Sequence, residues 1–209
     1  ETINVTKNEE DRAQFLHEKA LVIDPHSDYP AEISRRRKDG ETKVYANRHL
    51  RYLKEGGVSA EVLIVGNDEP LGEFTGPTIG GTLQNIDFVE IEIAESDNRI
   101  LLAKTSSDIR RAKKEKKVAV LIGLEGAKVV EDDISILRSF YRLGVRVLGL
   151  TWNGRNRLAD GVGQKKPGGL TFTGREVVRE ANRLGMILDL SHLAQPSFFD
   201  VFEEEVHLS

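Results

Sequence analysis

The chain has 209 residues, no cysteine, a formal net charge of -4 and a pI near 5.8. That length suits one domain with a sizeable core, and the lack of cysteine excludes disulfides, thiolate metal sites and a cysteine nucleophile. Nothing in the charge points to nucleic acid or an anionic membrane, and no apolar run approaches the ~20 residues of a membrane span.

In chain order, a polar helix is predicted from about Asn8 to Lys19, then the strand "LVI" at 21–23. A helix over 47–55, "NRHLRYLKE", stops at Gly56-Gly57 and the strand "VSAEVLIVG" follows. The glycines of "GPTIGG", 76–81, read as a flexible connection; the pattern predicts a long helix over 82–104 and a shorter one over "SSDIRRAKKEKK". "VAVLIGLEG", from 118, is the most apolar strand. "DISILRSFYRLG" and "TGREVVREANRLG" each read as a helix with a glycine stop, leading into the strands "VRVLGLTWN" and "MILDLSH".

Apolar runs without polar alternation suggest about five strands buried on both faces, as in a parallel sheet flanked by helices. A closed eight-stranded α/β barrel typically needs ~250 residues, so an open sheet and an unfinished barrel both fit. The basic runs Arg35–Lys38, placed in a loop, and Arg110–Lys117, on a helix, read as solvated faces without interleaved aromatics. No phosphate-cradling "GxxxxGKS" loop is present.

Polar residues recur where the apolar strands end. The first strand runs into Asp24, His26 and Asp28, which alternation would place on one face. "VAVLIGLEG" carries Glu125 near its end, "VRVLGLTWN" ends in Trp152 and Asn153, and "MILDLSH" carries Asp189 and ends in His192. In a parallel α/β fold these positions lie at the carboxyl edge of the sheet, where such folds place ligands and catalytic groups. Each has a plainer structural reading, from a surface turn to a rim tryptophan. Jointly, His26, Asp28, Glu125 and His192 form an N/O donor set that suits Zn²⁺ best, with Mn²⁺, Co²⁺ or Fe²⁺ as alternatives.

"IDPHSDYP", "GLEGA", "LGVRVLGLTWNGRNRLAD", "GGLTFTGREVVREANRLGM" and "LDLSH" together resemble the membrane dipeptidase (renal dipeptidase) family of metallopeptidases, from about residue 20 to 193. The resemblance implies a (β/α)8 TIM-like barrel of the metal-dependent hydrolase type with two zinc ions. His26 and Asp28 match the pair on one metal, Glu125 the bridging carboxylate and His192 a histidine on the second metal. The activity implied is zinc-dependent hydrolysis of dipeptides by a metal-bound hydroxide, with Trp152 and Asn153 on the substrate side.

The chain departs from the family pattern in two places. Trp152 stands where many members have a histidine, and Trp neither ligates a metal nor titrates. The later "SHS" histidine, a substrate arginine and a late aspartate are absent; His207 is the one histidine after His192. The expectation is therefore a single catalytic barrel domain over 1–209 that lacks the family's C-terminal portion, with about five of eight strands. A catalytically inactive or scaffold-like derivative, or a metal hydrolase acting on another small amide or a lactone, is the alternative. The expected partner is a small dipeptide, without nucleic acid or a membrane span, and a homo-oligomer stays open. The composition favours a soluble, cytoplasmic protein. The first residue is Glu1, not Met, which leaves room for a removed targeting segment.

Overall fold

A computed structural model describes residues 4–70, 77–130 and 133–206. Helix α1, Lys7–Lys19, starts at a capping box between Thr6 and Glu9 and buries no side chain. Strand β1, Val22–Ser27, leads into α2, Tyr29–Lys38, with Pro30 in its first turn. Helices α3, Val44–Arg48, and α4, Leu50–Glu55, precede β2, Val58–Asn67. Next come α5, Ile79–Ala94, β3, Ile100–Leu102, α6, Ser106–Lys114, and β4, Val118–Glu125. The chain continues with α7, Ile134–Arg142, β5, Val145–Gly149, α8, Phe172–Leu184, β6, Ile187–Asp189, and α9, Gln195–Val206.

All strand pairs are parallel in the order β1-β2-β4-β5-β6, and the short β3 pairs with the first three residues of β4. The sheet is half of a barrel. Its inner face carries a small cluster that includes Ala60, Val62, Ile64, Ala119, Leu121 and Val147. Its outer face is the main core, where Leu63, Val65, Ile122, Leu124 and Leu148 pack under the helices. Every residue of β4 is buried, as its unbroken apolar run requires. Ala112 and Ile109 of α6 join the inner cluster against β2 and β4.

Several expectations change. The helix foreseen over 82–104 ends at Ala94, and Ile100–Leu102 forms β3. Asp97 and Asn98, both at positive φ, make the turn between them. "GPTIGG" is no loop from Thr78 on, because the Thr78 side chain caps α5 by accepting from Gly81 N; Gly76 lies outside the described residues. Arg35–Lys38 lie in the last turns of α2, where Arg37 reaches Glu95, the residue that caps the end of α5, at 2.9 Å. The helix expected over 47–55 is two, joined at His49. The two glycine stops hold: Gly144 and Gly185 adopt φ of +110° and +72° after α7 and α8. Among the described residues no helix is long and apolar enough to cross a membrane.

Candidate metal centre

The C-terminal ends of β1, β2, β4 and β5, with the turn after β6, meet around Glu125. Its carboxylate lies on the inner face at the end of β4 and is 8 % exposed. His26 Nε2 is 3.6 Å from Glu125 Oε1 and 3.5 Å from Asp28 Oδ1. From the opposite side His192 Nε2 approaches the same Oε1 at 3.1 Å. One donor atom each from His26, Asp28 and Glu125 falls within a 4.8 Å spread.

The way β1 delivers His26 differs from simple alternation. Ile23 pairs with Ala60 and Asp24 with Glu61, but Ser27 pairs with Leu63, so β1 holds one extra residue between Asp24 and Ser27. A bulge of this kind turns the following side chains to the other face. His26 therefore turns toward Glu125. Asp24 does not share its face: it stays in register with Glu61, acts on Tyr45 in the outer layer, and accepts from His26 N at 3.1 Å. The expectation that Asp24, His26 and Asp28 line one face is corrected to His26 and Asp28 alone. Asp28 stands just past the strand, at the N-terminal boundary of α2.

His192 reaches inward from a turn with φ of +64°, a backbone region that non-glycine residues seldom occupy. Its Nδ1 lies 3.1 Å from Asn153 Oδ1. An amide oxygen only accepts, so this contact places a proton on Nδ1 and turns Nε2 toward Glu125, where it would ligate a cation once unprotonated. Asn153 thus orients a histidine, a contact that sequence reasoning did not foresee. The Trp152 ring stands 6.3 Å from that of His192, and its backbone N–H donates to Asp68 Oδ2 at 3.1 Å. His207 lies outside the described residues.

Burial pushes the Glu125 carboxyl above the usual carboxylate range; the His26 and His192 rings oppose that, while the charges of Asp28 and Asp189 add to it. Three carboxylates and two imidazoles converge where no lysine or arginine ion pair is formed with Glu125, Asp28 or Asp189 among the described residues. A divalent cation would offset most of this negative charge, and the donors are hard oxygen and imidazole nitrogen, which suit zinc. The residues fit the ion. Beneath the cluster a cavity of about 420 Å³ runs along the inner face, lined by Ile23, Val62, Leu121, Val147 and Ile187.

Sequence reasoning missed Asn67 and Asp68 at the end of β2. Asn67 donates to Glu125 Oε2 at 2.6 Å. The buried Asp68 accepts from Lys128 N, Trp152 N and Asn156 Nδ2, and so ties the segments after β4 and β5 together. Burial raises the Asp68 carboxyl, against these three donors. Only the polar pair "ND" closing an apolar strand hinted at either residue.

A parallel half-barrel with histidines and carboxylates gathered at its C-terminal rim is the architecture of the metal-dependent hydrolases. The chain belongs to the membrane dipeptidase family, peptidase family M19, whose profile matches residues 10–205. It is 38% identical over 117 residues to the dipeptidase verJ of Clonostachys rogersoniana, covering 55% of this chain and 30% of that protein. It is 28% identical over 204 residues to an uncharacterised dipeptidase of Schizosaccharomyces pombe, covering 88% of this chain and 49% of that one. Among solved structures, an amidohydrolase from Pseudomonas aeruginosa superposes with a TM-score of 0.73 at 26% identity, over 91% of this chain and 52% of its own. A metallopeptidase from Rhodobacter sphaeroides, liganded with a phosphinate mimic of the dipeptide L-Ala-D-Ala, gives 0.73 at 25% identity, over 87% of this chain and 61% of its own. The chain spans about half or less of the length of these curated relatives.

Proposed function

We propose that this chain carries the metal-binding part of a zinc-dependent dipeptidase, with His26, Asp28 and Glu125 on a first zinc and Glu125 and His192 on a second. The observation that supports this best is the convergence of His26 and His192 on one oxygen of a buried carboxylate, at 3.6 and 3.1 Å, with Asp28 beside them. A phosphinate has a tetrahedral phosphorus where a peptide has its scissile carbon. Its presence as a dipeptide mimic in the Rhodobacter neighbour supports hydrolysis of a small peptide as the reaction class.

Zinc bound at such a site lowers the pKa of a coordinated water to ~7 and polarises the substrate carbonyl, supplying a nucleophile where the chain offers no cysteine. The protein's own groups do the rest. Glu125, oriented by Asn67, would bring its carboxylate to a cation at the centre of the site. Asn153 accepts from His192 Nδ1 and so holds the ring with Nε2 turned toward the metal position. Trp152 supplies an apolar wall and one indole N–H, which donates to a carbonyl or carboxylate of the substrate. Asn153, exposed beside it, presents its amide N–H₂ to the same ligand.

Hydrolysis of L-Ala-D-Ala and simple L,L-dipeptides by the purified chain, lost on chelation and restored by Zn²⁺, is the expected result. Zinc-replete protein that leaves dipeptides intact but opens lactones or N-acyl amino acids would overturn the substrate class. Hydrolysis unaffected by chelation would overturn the zinc.

A further inference from the structure

We infer that Asn67 is a positioning residue of the metal centre, brought there by a bulge in β2, and that its amide divides the work of the two Glu125 oxygens. This rests on the proposed metal site.

Strand β2 begins with Ala60, Val62 and Ile64 on the inner face, in register with Ala119, Leu121 and Gly123 of β4. Uninterrupted alternation would next turn Gly66 and Asp68 inward and Asn67 outward. Instead Ile64 pairs with Gly123, Gly66 with Leu124 and Asn67 with Glu125, so Val65 is the extra residue of a bulge. The slip of one residue puts Asn67 on the inner face beside Glu125. Gly66 is what lets the strand pass there. A Cβ at that position would lie 2.8 Å from Thr82 Oγ1 and 2.9 Å from Leu124 Cδ2.

The Asn67 side chain is 1 % exposed and its orientation is fixed at both ends. Nδ2 donates to Glu125 Oε2 at 2.6 Å, and Oδ1 accepts from Glu69 N at 3.2 Å. A carboxylate only accepts and a backbone N–H only donates, so rotating the amide by half a turn would break both bonds. Oε2 is thereby tied to a neutral donor, while Oε1 faces His26 and His192. A lysine or arginine in the same place would orient the carboxylate and also neutralise it. The amide orients it and leaves the charge for a cation. Oε2 keeps a free lone pair as well, so the bond does not bar it from a metal.

A merely structural Asn67 would fill space at the end of β2 and satisfy Glu69 N. The two roles separate when zinc affinity and fold stability are measured on the same variants. The 209-residue chain is stripped with chelator, and zinc is titrated against a chromogenic competitor for the wild type, Asn67→Leu and Asn67→Ser. Leucine matches the volume without a donor; serine is smaller and too short to reach, and serves if leucine disturbs the fold. Far-UV circular dichroism and the emission of Trp152, the single tryptophan, report whether each variant is folded before zinc is added.

The expected result is a zinc Kd raised about 10–100-fold in a folded variant, the usual effect of removing a group that orients a metal ligand. Wild-type binding with folded variants within twofold of it would overturn this role for Asn67 and leave the metal site standing. A wild type that binds no zinc would overturn the metal site itself, and this role with it.

Discussion

Two buried carboxylates on neighbouring strands, Glu61 of β2 and Glu125 of β4, meet opposite fates. Glu61 is 1 % exposed and faces the outer layer, where Tyr45 Oη donates to one oxygen at 2.5 Å and His49 Nε2 lies 2.7 Å from the other. His49 is stacked on Tyr29 at 4.1 Å, and burial with the Glu61 charge holds the Tyr45 hydroxyl protonated well above its ordinary range. Both oxygens are served from within the fold. Glu125 has one short bond, to Asn67, two imidazoles at longer range, and the like charges of Asp28 and Asp189 nearby. Burial alone therefore does not mark a functional carboxylate. What marks it is a set of partners that the chain assembles but does not complete.

The largest effect is expected at Glu125. Glu125→Gln keeps the shape and removes the charge. It should lower zinc affinity by at least about a hundredfold, as loss of a ligand exceeds the effect of loss of its supports, and abolish dipeptide hydrolysis while the thermal melt changes little. A variant that retained full activity would remove Glu125 from the site. Glu61→Ala should do the reverse, destabilising the fold by about 3–5 kcal/mol in urea because His49 and Tyr45 lose a buried partner, with zinc bound per folded chain unchanged. Loss of zinc from folded Glu61→Ala would show that the two carboxylates are one network.

Asn153→Ala should have a smaller effect on the same site. It removes the acceptor that orients the His192 ring and should weaken zinc binding by about tenfold, the lower end for a residue behind a ligand. An unchanged Kd would leave Asn153 to the substrate alone. The smallest effect belongs to a pair far from the site. Arg183, with Arg138, bonds Glu180 and holds its carboxyl down at about 2. A depressed folded pKa means stability that is present above the unfolded value of about 4.5 and lost as pH falls through about 2. Glu180→Gln should therefore lose under ~1 kcal/mol at pH 7, and the difference from wild type should vanish toward pH 2. A gap that persisted at pH 2 would trace to packing instead of charge.

The parts of this architecture that are legible in sequence are those set by unbroken periodicity. Residues 118–124 announce a strand buried on both faces, and the glycines at 144 and 185 mark where two helices stop. Glu125 could be read as a rim residue because it directly follows an apolar run, and His192 because it closes the short strand segment "MILDLSH". Local breaks in period were not legible. The "ILL" of β3 continues the apolar spacing of the helix before it, so only the positive-φ turn at Asp97-Asn98 separates them. Alternation placed Asp24 with His26, and a one-residue bulge parts them. The same kind of bulge hides Asn67, whose partner lies 58 residues further along the chain. A bulge depends on strand pairing, and pairing is a tertiary fact.

His26, Asp28 and Glu125 are proposed to hold a divalent ion. Calorimetric titration of Zn²⁺ into the chelator-stripped 209-residue chain, beside a His26→Ala/Asp28→Ala double variant, decides whether they do. Saturable binding of at least one zinc per wild-type chain is expected, with loss of the tightest site in the double variant. A wild type that takes up no zinc, or a double variant that binds it as the wild type does, would remove the metal from these residues.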